Sequence, residues 1–181
     1  MEIVLAVMVV LAVAIVAWLG FAQSGEPPKR GAPAPEFALE DLDGGRQSLA
    51  AARGARVVLV FHPQDETPEC VAVVERLAAV APAIASAGVT LWAVVVADPQ
   101  AARAYAQARA PGVRVLCDPG GKTTRAYGAL VNLGFMKFAR KQVVLVDPWG
   151  KVERTWRDPV TPVQVDELAR TLGVAPAASP A

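Results

Sequence analysis

The chain reads as an α/β domain with a mixed central sheet flanked by helices. Three observations predict this. Arg56–Phe61 (RVVLVF), Val89–Val96 (VTLWAVVV) and Gln142–Val146 are continuous apolar runs, the mark of strands covered on both faces. Helical spacing separates the first two, with Val73, Leu77 and Val80 on one face. The third run is followed by a turn and a returning strand, which adds an antiparallel pair.

The elements follow in order. Phe37–Leu39 and Gln47–Leu49 flank Asp43-Gly44-Gly45 and form a short hairpin. After Phe61, a polar loop runs from His62 to Pro68. Glu69–Ala81 is the next helix, which Pro82 should break or kink. Asp98-Pro99 supplies an N-cap and a first-turn proline for a helix to Arg109. Val113–Leu116 is a short strand, closed by Cys117-Asp118-Pro119-Gly120-Gly121. Lys122–Tyr127 makes one or two helical turns. Asp147-Pro148-Trp149-Gly150 turns the chain into the strand Lys151–Arg157. Thr161-Pro162 caps a final helix ending near Leu172, with Val163, Val165 and Leu168 at helical spacing.

Composition narrows the function. Of 181 residues, 54% are hydrophobic and 19% charged, with mean hydropathy +0.35, so a disordered solvating chain is excluded. A net charge of +1 asks for neither nucleic acid nor an acidic partner. Two cysteines, Cys70 and Cys117, and one histidine, His62, exclude a disulfide scaffold, a four-cysteine zinc site and a multi-histidine metal centre.

Much of the apolar excess lies in Ile3–Ala22, twenty residues without a charge. At about 1.5 Å per residue they would cross a hydrocarbon core of roughly 30 Å. Residues 1–23 are therefore expected to be a single-pass transmembrane anchor in contact with membrane lipid. Gly20-Phe21-Ala22 would also pass as a cleavage site, but no basic segment precedes the run. Lys29 and Arg30 after it favour a cytoplasmic C-terminal domain. Residues 24–35, with four prolines and two glycines, read as a stiff extended linker. The folded domain is expected over 36–174 and a flexible tail over 175–181.

Chemistry gathers where loops leave the C-terminal ends of parallel strands. The loop after Phe61 is such a place, and Cys70 lies in the first helical turn beyond it. A free thiol has a pKa of about 8.5, so little of it is thiolate at pH 7. Lowering that by two units needs about 2.7 kcal/mol. A helix N-terminus usually contributes about 0.3–1. A cation or a hydroxyl must supply the rest, and Thr67, three residues earlier, carries a suitable hydroxyl. Pro63, without an N–H, would help to exclude water.

PQDETPEC, Pro63 to Cys70, matches the PxxxTxxC signature of peroxiredoxins, in the strand-to-helix setting that family uses. Ala34-Pro35-Glu36-Phe37 resembles the family's entry segment. FHPQDETPEC is similar to the peroxiredoxin Q, or bacterioferritin-comigratory, type. CDPGGKTTRAYG and VVLVDPWGKVERTW resemble two further segments. The resemblance covers Ala34 to about Leu172. It implies a thioredoxin-like fold and thiol peroxidase chemistry without a cofactor or metal. Cys70 would attack hydrogen peroxide or an organic hydroperoxide and become a sulfenic acid. Thioredoxin or another thiol donor would restore it.

The chain departs from the pattern in places. Glu75 stands where this type often has its resolving cysteine, which leaves Cys117 as the one candidate within the chain. Its alternative role is that of a small buried hydrophobe. The family's arginine before the third long strand is replaced by Lys141, with Arg140 one residue earlier. An ammonium lacks the planar fork of a guanidinium. Glu69 beside Cys70 is expected to face solvent. His62 stands where the family usually has an aromatic and is read as a structural histidine. These departures support an alternative, a non-catalytic thioredoxin-like module that binds a partner or senses redox state. A dithiol reductase is disfavoured, since neither CxxC nor CxxxC occurs.

Overall fold

The structure is a computed structural model that describes residues 2–22, 25–65, 67–109, 112–157 and 160–175. Nine strands and five α-helices occur in these residues. They are α1 (Glu2–Ala22), β1 (Ala38–Asp41), β2 (Arg46–Ser48), β3 (Val57–Phe61), α2 (Pro68–Ser86), β4 (Thr90–Val95), α3 (Pro99–Arg109), β5 (Arg114–Cys117), α4 (Lys122–Ala126), β6 (Leu130–Asn132), β7 (Lys137–Ala139), β8 (Gln142–Val146), β9 (Val152–Arg157) and α5 (Pro162–Thr171). Of the expected tail, only residue 175 is among those described.

Seven strands form one mixed sheet in the order β2-β1-β5-β4-β3-β8-β9. β3, β4 and β5 run parallel, with Phe61 opposite Val94 and Val95 opposite Cys117. β8 pairs antiparallel with β3, setting Gln142 opposite Phe61. Every residue of β3 and β8 is buried, as continuous apolar runs require. One face of the sheet packs Val58, Val60 and Val143 against Val73, Leu77 and Val80 of α2 and Leu168 of α5. The other face gathers Leu59, Phe61, Trp92, Val94 and Val144 around Phe37 and Tyr127. Phe37 meets Trp92 edge-on at 5.9 Å between ring centroids, and Phe61 lies 5.2 Å from Tyr127.

The N-terminal approach to the domain lies along the β8–β9 hairpin. Gly31 N–H donates to Val152 C=O at 2.8 Å and Ala34 N–H to Gly150 C=O at 2.9 Å.

Three expectations need correction. Pro82 does not break α2, which continues to Ser86. Pro82 lies on the exposed side, so the Ala78 carbonyl that loses its donor is near water, while Leu77, Val80, Ala81 and Ile84 keep one buried stripe. Second, a two-stranded hairpin, β6–β7, stands outside the main sheet, with Leu130 opposite Ala139. The sequence reading left these residues unassigned.

Third, among the described residues no helix is long and apolar enough to cross a membrane. The expected anchor, the membrane location with its cytoplasmic orientation, and the lipid partner are corrected by this. The described side chains of α1, at residues 4–15 and 18, are exposed and add nothing to the core.

Candidate active site

The strand–loop–helix passage from β3 to α2 is built by local backbone bonds. His62 N–H donates to Val94 C=O at 3.4 Å, carrying the parallel ladder one residue past Phe61. Gln64 then takes φ 59°, a left-handed conformation, and its N–H donates to His62 Nδ1 at 3.1 Å. The chain turns back here at a cost a non-glycine residue rarely bears. Thr67 is extended at the N-cap and Pro68 occupies the first helical turn, where a missing N–H costs nothing. Cys70 N–H and Val71 N–H both donate to Thr67 C=O, at 2.9 and 3.0 Å.

This places the Cys70 sulfur in the first turn of α2, with the residue 1% exposed. The Thr67 side chain does not cap the helix. Its Oγ1–H donates to Asp65 Oδ1 at 2.7 Å, and Thr67 N–H donates to the same oxygen at 3.2 Å. The Asp65 carboxylate and the Thr67 hydroxyl both act on the Cys70 thiol. Asp65 is a site residue that the sequence reading missed. The Asp-x-Thr spacing of a local side-chain turn was the available signal.

The corner before β8 supplies the cation. Gln142 is buried, and its Nε2–H donates to Tyr127 C=O at 2.8 Å. Arg140 N–H donates to Ala129 C=O at 2.8 Å. Because Gln142 lies opposite Phe61, Lys141 flanks His62 at the C-terminal end of β3. Lys141 acts electrostatically on both Cys70 and His62. Half-buried Arg140 precedes it, and Pro63, also half-buried, begins the loop.

These neighbours pull the thiol in opposite directions. Burial, and next the Asp65 hydrogen bond, push Cys70 above the ordinary thiol range, while Thr67 and Lys141 draw it back down. The net displacement is upward. At Asp65, burial favours the acid form, but bonds from Cys70 and Thr67 outweigh it and hold the carboxyl below its usual range. His62 is 3% exposed, and burial lowers it to about 4. It is neutral at pH 7 and accepts from Gln64 N–H at Nδ1. Glu69 and Glu75 are exposed.

Cys117 is not brought to this site. It ends β5, opposite Glu40 of β1, and packs with Val95, Ala102, Ala106 and Val115. β4 stands between β3 and β5. Burial, then Asp98, Asp41 and Glu40, push the Cys117 thiol upward. Cys70 and Cys117 are not joined in a disulfide.

Comparison with known proteins agrees with this geometry. The model of the AhpC/TSA family matches residues 30–155. The chain is 28% identical over 144 residues to the chloroplastic peroxiredoxin Q of Gentiana triflora, covering 79% of this chain and 66% of that protein. It therefore spans about two thirds of the plant relative's length. It is 26% identical over 136 residues to peroxiredoxin Bcp of Escherichia coli strain K12, covering 73% of this chain and 87% of that protein. The fold is similar to the crystal structure of peroxidoxin BcpB from Mycobacterium tuberculosis, with TM-score 0.71 and 19% identity. That match covers 80% of this chain and 96% of the other.

Proposed function

Because the chain belongs to the AhpC/TSA family, we propose that it is a thiol peroxidase in which Cys70 reduces hydrogen peroxide or an organic hydroperoxide. The observation that carries this reading is the buried Cys70 sulfhydryl at the head of α2, three residues after Thr67 and under the electrostatic influence of the Lys141 cation. Such a thiol is a nucleophile once its proton is lost.

The Cys70 thiolate attacks one peroxide oxygen, forming S–O as O–O breaks. The second oxygen leaves with the bonding pair and takes a proton, departing as water or an alcohol. The sulfur becomes a sulfenic acid, oxidised by two electrons. Lys141 stabilises the negative charge on sulfur and on the departing oxygen. Thr67 orients the reacting group through its hydroxyl, and Pro63 limits water at the loop. Arg140, one residue before Lys141, is the second candidate for the cation.

The sulfenic acid is resolved by a thiol from outside the chain, such as thioredoxin. The donor thiolate attacks Cys70 Sγ, and hydroxide leaves as water. A second donor thiol then releases Cys70 as the mixed disulfide breaks. This route is supported by the intervening β4 and by the acidic surroundings of Cys117. Cys117 is the candidate for resolution within the chain if α2 unwinds locally.

The test is peroxide consumption by the full chain with a dithiol donor, compared for wild type, Cys70→Ser and Cys117→Ser. Loss of turnover in Cys70→Ser alone supports the proposal. Undiminished turnover in Cys70→Ser defeats it and leaves the non-catalytic thioredoxin-like module.

A further inference from the structure

The proposed chemistry needs a cation beside α2, and the corner that presents it carries a buried amide. Gln142 opens β8, and the four residues after it are Val143, Val144, Leu145 and Val146. Gln142 is 0% exposed and stands between Phe61 of β3 and Arg157 of β9 in the register. Its Nε2–H donates to Tyr127 C=O at 2.8 Å. Among the described residues, its buried Oε1 accepts no hydrogen bond. A buried amide with an unmet acceptor costs stability, and an apolar residue would begin the strand without that cost.

Two more bonds reach the same turn. Arg157 Nη2–H donates to Gly128 C=O at 3.2 Å, and Arg140 N–H donates to Ala129 C=O at 2.8 Å. Three consecutive carbonyls are thus tied to the start of β8 and the end of β9. The turn is seated on its other side as well. Tyr127 is fully buried against Phe61, and its hydroxyl donates to Pro35 C=O at 2.8 Å.

Alternation along β8 decides what this clamp presents. Val144 and Val146 lie on the face of Phe61 and Tyr127, whereas Val143 and Leu145 lie on the face that packs on α2. Gln142 shares the first face. Lys141, one residue earlier, falls on the second, next to His62 and toward the helix that carries Cys70. A slip of one residue would carry Lys141 to the far face.

We propose that Gln142 is a positioning residue of the peroxide step: by clamping the Tyr127–Ala129 turn on one face of the sheet, it fixes the register that presents Lys141 to the α2 side on the other. This rests on the thiol peroxidase reading and assigns the corner before β8 its support. Gln142 acts through Lys141, since the sheet separates it from α2.

The test is a double-mutant cycle in the full chain. Gln142→Met keeps an unbranched side chain of similar length but removes the donor to Tyr127 C=O. The readout is the rate of Cys70 alkylation by iodoacetamide at pH 7, followed by mass spectrometry, with denaturant midpoints measured alongside. Gln142→Met is expected to slow alkylation by about threefold, no more than Lys141→Ala does alone. In the Lys141→Ala background it should cause no further slowing, although stability falls in both backgrounds. Gln142→Asn, whose amide is one methylene short of Tyr127 C=O, is the milder second variant should Gln142→Met not fold, with the same pattern expected. A folded Gln142 variant that alkylates at the wild-type rate overturns the proposal. So does a loss that persists undiminished in the Lys141→Ala background, because the amide would then act without Lys141. Alkylation needs no peroxide turnover. Failure of this inference therefore reads differently from failure of the peroxidase reading, which appears as undiminished peroxide consumption by Cys70→Ser.

Discussion

The Gln64 backbone N–H donates to His62 Nδ1 across 3.1 Å, one residue before the loop turns toward Thr67. The bond fixes which imidazole nitrogen is the acceptor and ties the loop to the end of β3. The ring also lines a small apolar cavity of about 20 Å³ with Val60, Leu77 and Val95, a volume on the scale of one water molecule.

A pH prediction follows from that burial. In the unfolded chain His62 takes its proton near 6.5, and in the folded protein only near 4. Above about 6.5 neither state is protonated and the histidine costs nothing. Between 6.5 and 4 the unfolded state alone gains the proton, so stability falls as pH falls, by roughly 3 kcal/mol in all. Denaturant midpoints measured from pH 7 to pH 4 should show this loss. His62→Phe, which cannot titrate, should flatten the profile. An equal acid loss in that variant would show that other groups carry it.

Lys141 should control the reactivity of Cys70 from across the sheet end. Its charge lowers both Cys70 and His62. Removing it in Lys141→Ala is expected to slow Cys70 alkylation at pH 7 by about three- to tenfold, the size of a single charge at partial exposure. The His62 titration should move upward in the same variant. Lys141→Arg keeps the charge and should recover most of the rate. A larger loss in Arg140→Ala than in Lys141→Ala would transfer the role to Arg140.

The proline inside α2 makes a stability prediction. Pro82 removes one intrahelical donor on the exposed side while the buried stripe from Leu77 to Ile84 stays in place. Pro82→Ala restores that bond, offset by greater freedom of the unfolded chain. A gain of about 1–2 kcal/mol in denaturant unfolding is expected. A net loss would mean that the proline's rigidity outweighs the missing bond.

The legibility of the chain divides along physical lines. Strands β3, β4, β5 and β8 were readable because burial on both faces demands unbroken apolar runs. Asp98 and Thr161 were readable as caps because capping is local. Asp98 Oδ1 accepts from Gln100 N–H and Ala101 N–H at 3.0 Å each, and Thr161 N–H donates to Gln164 Oε1 at 2.9 Å. Pro82 was misjudged because propensity speaks of one residue, whereas seven buried side chains hold α2. The β6–β7 hairpin was missed because Leu130–Ala139 mixes apolar and polar residues without strict alternation, and Phe135 at its turn is 82% exposed. Cys70 and Thr67 share the passage from β3 to α2, and Lys141 lies beside the end of β3 at the corner before β8. Asp65 did not stand out, because its bond to the Thr67 hydroxyl forms only when the loop folds back.

The central claim is that Cys70 takes the oxidising equivalent and that nothing within the folded chain resolves it. The most direct measurement treats the reduced full chain with one equivalent of hydrogen peroxide, traps with dimedone and reads intact and peptide masses. The account predicts a sulfenic-acid adduct on Cys70, none on Cys117, and the same yield in Cys117→Ser. A Cys70–Cys117 disulfide in place of the adduct, or an adduct that survives Cys70→Ser, would contradict it.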